Sequence, residues 1–461
     1  MTRPYPLPAQ RVLQMLEGLT PVSLAAGLAL TAMAPFAQAQ SLVELYTSAR
    51  AFDASYQSAK LQYDANLARA QQARAGILPT VSVSAGATAN NIENSNPALA
   101  QLNRSFSSQT ATLVASQPLY RPGNLATYEQ GFKQVDLAKA QLDAAAQDLI
   151  VRTSQAYFDV LVSMDTLAFV RAQKTAVAEQ LASAKRNFEV GTSTITDTRE
   201  AQARYDLVIA QEIAGDNDLR VKKLALDTLV GKTDSQPKGL MIPAELAPLV
   251  PADVNTWVDQ SVLIHPSIRA AQSNYDVAEL EVRKAEAGHK PTLDLQASYG
   301  IARNPSGSAS GGNTLSNRSN VATVGLAFNL PLFAGFATQN RVVETIALKD
   351  KAQSDLEGAR RNVALATRTA YFGVLSGQGQ VKALEAAELS SQSALDANKL
   401  GYQVGVRINI DVLNSQSQLF QTKRDLAQAR YNVLLGGLRL RQANGTLSPE
   451  DLQLINTLLV K

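Results

Sequence analysis

Strict alternation of apolar and polar residues marks four stretches of the chain. From Thr80 to Asn90, Val81, Val83, Ala85, Ala87 and Ala89 fall on one face, with Thr80, Ser82, Ser84 and Thr88 on the other. From about Gln109 to Gln117, Ala111, Leu113 and Ala115 share a face. Later, Leu293, Leu295, Ala297, Tyr299 and Ile301 alternate with Thr292, Asp294, Gln296 and Ser298. Ala322, Val324, Leu326, Phe328 and Leu330 alternate with Thr323, Gly325 and Asn329. A period of two predicts strands, over about 80–90, 109–117, 292–302 and 321–330. Polar loops, roughly Asn91 to Ser108 and Asn304 to Asn320, join each pair, and Pro118, Gly123, Pro331 and Gly335 punctuate the exits. Strands of this length, apolar on one face, suit a membrane-spanning β-barrel. A soluble antiparallel sheet covered on one face is the plain alternative.

After each strand pair the spacing shifts to three and four. Between Asn124 and Val190 there is no proline and one glycine, Gly131. Val135, Ala138, Leu142, Ala145 and Leu149 form a coiled-coil-like seam in which alanine allows close backbone approach. Unbroken, such a tract spans about 100 Å, too long for a compact domain. The second tract, about Thr338 to Val404, is interrupted only by Gly358, Gly373, Gly377, Gly379 and Gly401. The tracts end in turns, Val190-Gly191-Thr192-Ser193-Thr194 and Val404-Gly405-Val406-Arg407. Helix then returns from about Asp197 to Val230 and from Asp411 to Gln442. Gly191 suits the position just past a helix end. Asp197, with Glu200 three residues on, reads as an N-cap and capping box. Another helical stretch, Leu42 to Ala75, precedes the first strand.

The whole order is written twice. Leu78-Pro79-Thr80 returns as Lys290-Pro291-Thr292, and Pro118-Leu119-Tyr120 as Pro331-Leu332-Phe333. Ala156-Tyr157-Phe158-Asp159-Val160-Leu161 returns as Ala370-Tyr371-Phe372-Gly373-Val374-Leu375. The offset drifts only between 212 and 214 positions, so the halves are structural copies with few insertions. The repeats are expected over 40–232 and 257–445, with a linker at 233–256 and a C-terminal segment at 446–461.

Composition sets the compartment. Arg3 and Arg11 precede an uncharged apolar stretch from Leu19 to Phe36, and Ala37-Gln38-Ala39 has the form of a cleavage site. Residues 1–39 are therefore expected to be a signal peptide. The 461 residues carry a net charge of +3 and no cysteine, which excludes disulfides, thiolate metal sites and N-terminal lipoprotein acylation. His265 and His289 are isolated, and no nucleotide-binding glycine pattern, metalloprotease motif or nucleophile elbow appears. Nothing points to an enzyme, a cofactor or nucleic acid. Past the signal, no apolar run is long enough for a transmembrane helix.

Four membrane strands cannot close a barrel alone. Lipid leaves no partner for an open edge, and closure begins at about eight strands. An oligomer is required, and three chains would supply twelve strands. A non-pore periplasmic coiled-coil scaffold is the alternative. Here the chain resembles the TolC family of outer-membrane channel-tunnels. The most specific stretch is Gly401-Tyr402-Gln403-Val404-Gly405-Val406-Arg407-Ile408-Asn409-Ile410-Asp411-Val412-Leu413-Asn414, similar to that family's GYxVGxRxxxDVLD segment. Ala429-Arg430-Tyr431-Asn432 and Gly445-Thr446-Leu447-Ser448-Pro449-Glu450-Asp451-Leu452 add to it.

The resemblance implies an α+β membrane protein built as a homotrimer. A shared twelve-stranded outer-membrane barrel would continue into a periplasmic helical barrel, with residues 233–256 and the C-terminal tail as an equatorial belt. It implies an export duct for proteins (type I secretion) or small toxic compounds. The partners would be a periplasmic adaptor and an inner-membrane ABC or proton-driven transporter. It also implies site residues. Tyr402 would bond Asp197 within one chain, and Arg407 would reach Thr196 and Asp197 of the next, together closing the periplasmic tip. Asp411 would form a carboxylate ring at the pore constriction. Asn414 departs from the family's second acidic position, and Lys399 departs from an acidic position matched with Gln180.

Overall fold

The computed structural model describes residues 39–93, 104–241, 248–305 and 316–460. All but the last residue of the expected signal peptide lies outside the described residues. So do the middle of each strand loop and residues 242–247 of the expected linker. In chain order the elements are α1 (Leu42–Phe52), α2 (Ala54–Arg74), β1 (Thr80–Ile92), β2 (Arg104–Tyr120), α3 (Pro122–Glu189), α4 (Ile195–Val230), α5 (Val254–Ile264) and α6 (Pro266–Glu286). β3 (Thr292–Asn304), β4 (Asn317–Asn329), α7 (Ala337–Gln403), α8 (Asn409–Asn444) and α9 (Glu450–Asn456) follow.

The four strands make one antiparallel sheet in chain order. Its register joins the two repeats, because β2 pairs with β3. Directly opposed residues share a face. Val83 faces Leu113, Leu113 faces Tyr299, and Ala297 faces Val324, so the four apolar sets merge into one continuous surface. That surface is bare: Val83 is 74% and Val324 77% exposed. The opposite face carries Thr80, Ser116, Gln296 and Gly325 in one row and Ser82, Val114, Ser298 and Thr323 in the next. β1 and β4 each leave one edge unpaired. The strands outrun the alternation that predicts them, because the backbone ladder continues where both faces turn polar, as at Ser107 and Ser108. β2 likewise passes through Pro118, where the register shifts before Tyr120; a bulge accommodates the missing donor.

α3 and α7 are continuous over 68 and 67 residues. α3 turns back as α4 and α7 as α8, giving two antiparallel hairpins, and α8 also packs on α3. Both turns close in the same way. Gly191 (φ +78°) donates to Phe188 O at 3.0 Å, and Thr192 to Asn187 O at 2.8 Å. Gly405 (φ +82°) donates to Tyr402 O at 3.2 Å, and Val406 to Gly401 O at 2.9 Å. This paired bonding needs a left-handed residue, hence glycine. The expected helix over 42–75 is instead two helices. Asp53 ends α1 and caps α2, accepting from Tyr56 N at 2.7 Å while Arg152 of α3 grips its carboxylate at 2.9 and 3.0 Å.

The largest core lies midway along α3, at the far end of α4 from the turn, where Leu42, Leu45, Leu149, Tyr157, Phe158, Leu226, Tyr431 and Leu452 meet. The duplicated tyrosines do matching work, Tyr157 in this core and Tyr371 in a second one with Trp257 and Val374. Tyr157 donates to Lys238 O at 2.8 Å, and Tyr371 donates to Ala252 O, so each holds the segment between the repeats. That segment also bonds both ends of the described chain. Gln40 N donates to Gln236 O at 2.7 Å, and Met241 N to Leu458 O at 2.9 Å. No helix among the described residues is long and apolar enough to cross a membrane.

Candidate gate at the helical tip

The sequence motif falls on the turn between α7 and α8, beside the turn between α3 and α4. The return helix α4 starts earlier than expected. Its N-cap is Thr194, not Asp197, and Asp197 is the third helical residue. Thr194 Oγ1 accepts from Asp197 N at 3.2 Å, and the Asp197 carboxylate accepts from Thr194 N at 3.0 Å. That oxygen also takes Thr194 Oγ1 at 2.9 Å and Ser193 Oγ at 2.7 Å. Partial burial alone would raise the Asp197 pKa. The bonds from Ser193 and Thr194 outweigh it and hold the carboxyl below its usual value.

This capping changes the expected contacts. The Tyr402–Asp197 bond is not made within the chain, because the Asp197 carboxylate is turned back onto its own cap. The Tyr402 hydroxyl accepts from Asn187 Nδ2 at 3.1 Å, and its ring packs against Leu395, Val412 and Leu419. Thr196 is exposed. Arg407 lies 3.7 Å from Asp411, one helical turn on, in a pair whose side chains are 58% and 33% exposed. Such a pair contributes about 0–1 kcal/mol. Gly401 makes room for it: a Cβ there would sit 2.6 Å from Arg407 Cγ. Asn414 accepts from Arg204 Nη2 of α4 at 2.9 Å.

One tip residue escaped the sequence reading. Asn409 is fully buried; its Nδ2 donates to Asp197 O at 3.3 Å and its Oδ1 accepts from Gln180 Nε2. It thus ties the second hairpin to both helices of the first. The repeat held the signal, since the matching position in the first copy is the apolar Ile195. Farther from the tip, Tyr431 of α8 donates to Asp165 of α3 at 2.8 Å, and burial raises the pKa of both groups. Among the described residues no cluster of side chains could hold a metal ion.

The profile of the family described as outer membrane efflux protein matches residues 45–232 and 257–446, the two repeats. Outer membrane protein TolC of Vibrio cholerae is 32% identical over 441 residues, covering 96% of this chain and 98% of that protein. The alkaline protease secretion protein AprF of Pseudomonas aeruginosa is 32% identical over 356 residues, covering 76% of this chain and 73% of its own. The crystal structure of the outer membrane protein VceC from Vibrio cholerae superposes with a TM-score of 0.76 at 19% identity, over 88% of this chain and 96% of that one. The chain belongs to the TolC-like outer membrane efflux protein family. It is an outer-membrane channel protein with a periplasmic helical part, and not an enzyme.

Proposed function

We propose that three copies of this chain form a gated exit duct through the outer membrane. The observation that carries this reading is the sheet. It has a bare apolar face and two unpaired edges, β1 and β4, which lipid would not tolerate. Pairing β4 of one copy with β1 of the next satisfies every edge, and three copies give twelve strands. The six helical hairpins then continue the tube into the periplasm. Residues 233–256 and 446–461 would form its belt, in keeping with the way both chain ends bond the segment around Lys238.

The tip is the gate in this reading. Arg407 is exposed and tied only by a weak pair, so it is free to reach Thr196 and Asp197 of a neighbour. Charge-assisted bonds of about 1.5–3 kcal/mol, repeated by symmetry, would hold the tip shut by several kcal/mol. A periplasmic adaptor must favour the open state by a comparable amount. Asp411 and Asn414 line the constriction. The inner-membrane partner is an ABC or proton-driven transporter, and the cargo a secreted protein or a small toxic compound. A relative named for protease secretion supports the first of these.

The test is the state of the protein in cells. It should fractionate with the outer membrane and migrate in mild SDS as a heat-sensitive trimer. A freely soluble periplasmic monomer would contradict the reading.

A further inference from the structure

Beside Asn414, helices α3, α4 and α8 line a half-open cavity of about 460 Å³. Arg204 and Gln211 line it from α4, Asn414, Gln421 and Arg424 from α8, and Gln173 from α3. No carboxylate lines it. Each arginine is held by a neutral amide instead: Arg204 Nη2 donates to Asn414 Oδ1 at 2.9 Å, and Arg424 Nη2 to Gln421 Oε1 at 2.6 Å. The acids nearest in sequence are engaged elsewhere, Asp206 by Gln202 and Asp425 by the far end of Gln421. Other arginines of the chain, such as Arg152, Arg171 and Arg441, are paired with acids. Gln173 closes the cavity on the α3 side. It is 5% exposed, and its amide oxygen has no partner among the described residues. That buried oxygen is an acceptor, so the two arginines alone supply the charged donors of the site.

Two cations lining one half-enclosed space, with no acid among them, favour an anion there. Guanidinium groups suit oxyanions because their forked donors match both oxygens. We propose that this cavity is an oxyanion site that takes a carboxylate. Its volume lies within the usual range for small-ligand sites, about 300–1,000 Å³. It admits a small polycarboxylate or the acidic side chain of a partner. The ligand chemistry stands on the cavity alone, while its role in export rests on the duct reading.

Calorimetric titration of the purified full-length protein with citrate, at constant ionic strength, tests the assignment. Wild type should bind saturably, once per chain. Arg204→Gln with Arg424→Gln should weaken binding at least about tenfold, and the paired lysine variant should retain part of it. Asn414→Asp, nearly isosteric, should weaken it as strongly by placing a carboxylate against Arg204. This variant keeps the test decisive if the double variant fails to assemble. No saturable binding by wild type, or unchanged binding by the variants, overturns the proposal. Citrate added during single-channel recording separates the two sources. Block in wild type but not in the arginine variants marks a site open to the pore and its passing anions. Binding without block marks a site that receives a partner's side chain. Citrate binding by a protein that does not conduct would retain the site and reject the duct.

Discussion

An alanine at Gly401 would improve helix propensity by about 1 kcal/mol, yet its Cβ would collide with Arg407. We expect Gly401→Ala to displace that guanidinium and raise single-channel conductance despite the better helix; unaltered conductance would mean that Arg407's position does not hold the tip. Asp411 is the only acid at the two positions proposed for the constriction, and Arg407 stands 3.7 Å away. Cation preference should therefore be weak, and Asp411→Ala should nearly abolish it, as read from reversal potentials in a salt gradient. Strong selectivity in the variant would remove Asp411 from the pore. His265 is set by burial, which lowers its pKa against the opposing hydrogen bond to the Gln442 backbone, while it caps α6 by accepting from Ser267 N at 3.1 Å. The unfolded chain then takes its proton first. His265's contribution is complete above an ordinary histidine value of about 6.5 and lost as pH falls through the lower folded value. Thermal stability of wild type should drop more between neutral pH and pH ~5 than that of His265→Asn; parallel pH profiles would contradict this. At this scale the sequence pointed to the right turns but not to every contact. Asp197 could be read as a cap, but the true cap three residues earlier depends on where the preceding helix lets go. Asn409 stands out in sequence only as a polar residue where the first copy has Ile195, and its role needs its partners, which lie 212 and 229 residues away.

Elements were far more legible than contacts. Period-two alternation marks the strands because one face is apolar; it fades toward the loops, where pairing alone carries the strand on. The two long helices follow from the near-absence of breakers, and the glycines after them from the left-handed turn. The break at Asp53 was hidden, since an aspartate within a helical stretch is unremarkable until Arg152, 99 residues later, is seen holding it. A second buried aspartate shows how the sheet is fixed to the hairpins. Asp294 of β3, with a side chain 7% exposed, receives Arg121 Nε at 2.8 Å and Nη2 at 2.5 Å at the start of α3. The bond crosses from the first repeat to the second. Asp294→Ala leaves a half-exposed arginine rather than a buried charge, so we expect a loss of about 1 kcal/mol. The SDS-resistant oligomer should dissociate a few degrees lower on a heated gel series. An unchanged dissociation temperature would make the pair ornamental.

For the whole molecule, duplication puts two strand pairs and two hairpins into each chain, and the sheet register welds the copies together through β2 and β3. The outer strands are left as the only place for a neighbour to add. Because the chain lacks cysteine, introduced pairs give an unambiguous readout. One cysteine on β1 combined with one on β4 should yield covalently closed trimers under oxidation in membranes. Bonds forming only within single chains would contradict the shared barrel. In the proposed duct, the residues of the two turns close the tip. Planar-bilayer recording of wild type against Tyr402→Phe combined with Arg407→Ser tests it most directly. The variant should show a larger single-channel conductance at unchanged oligomeric state; equal conductance in the two proteins would mean that these residues do not hold the tip shut.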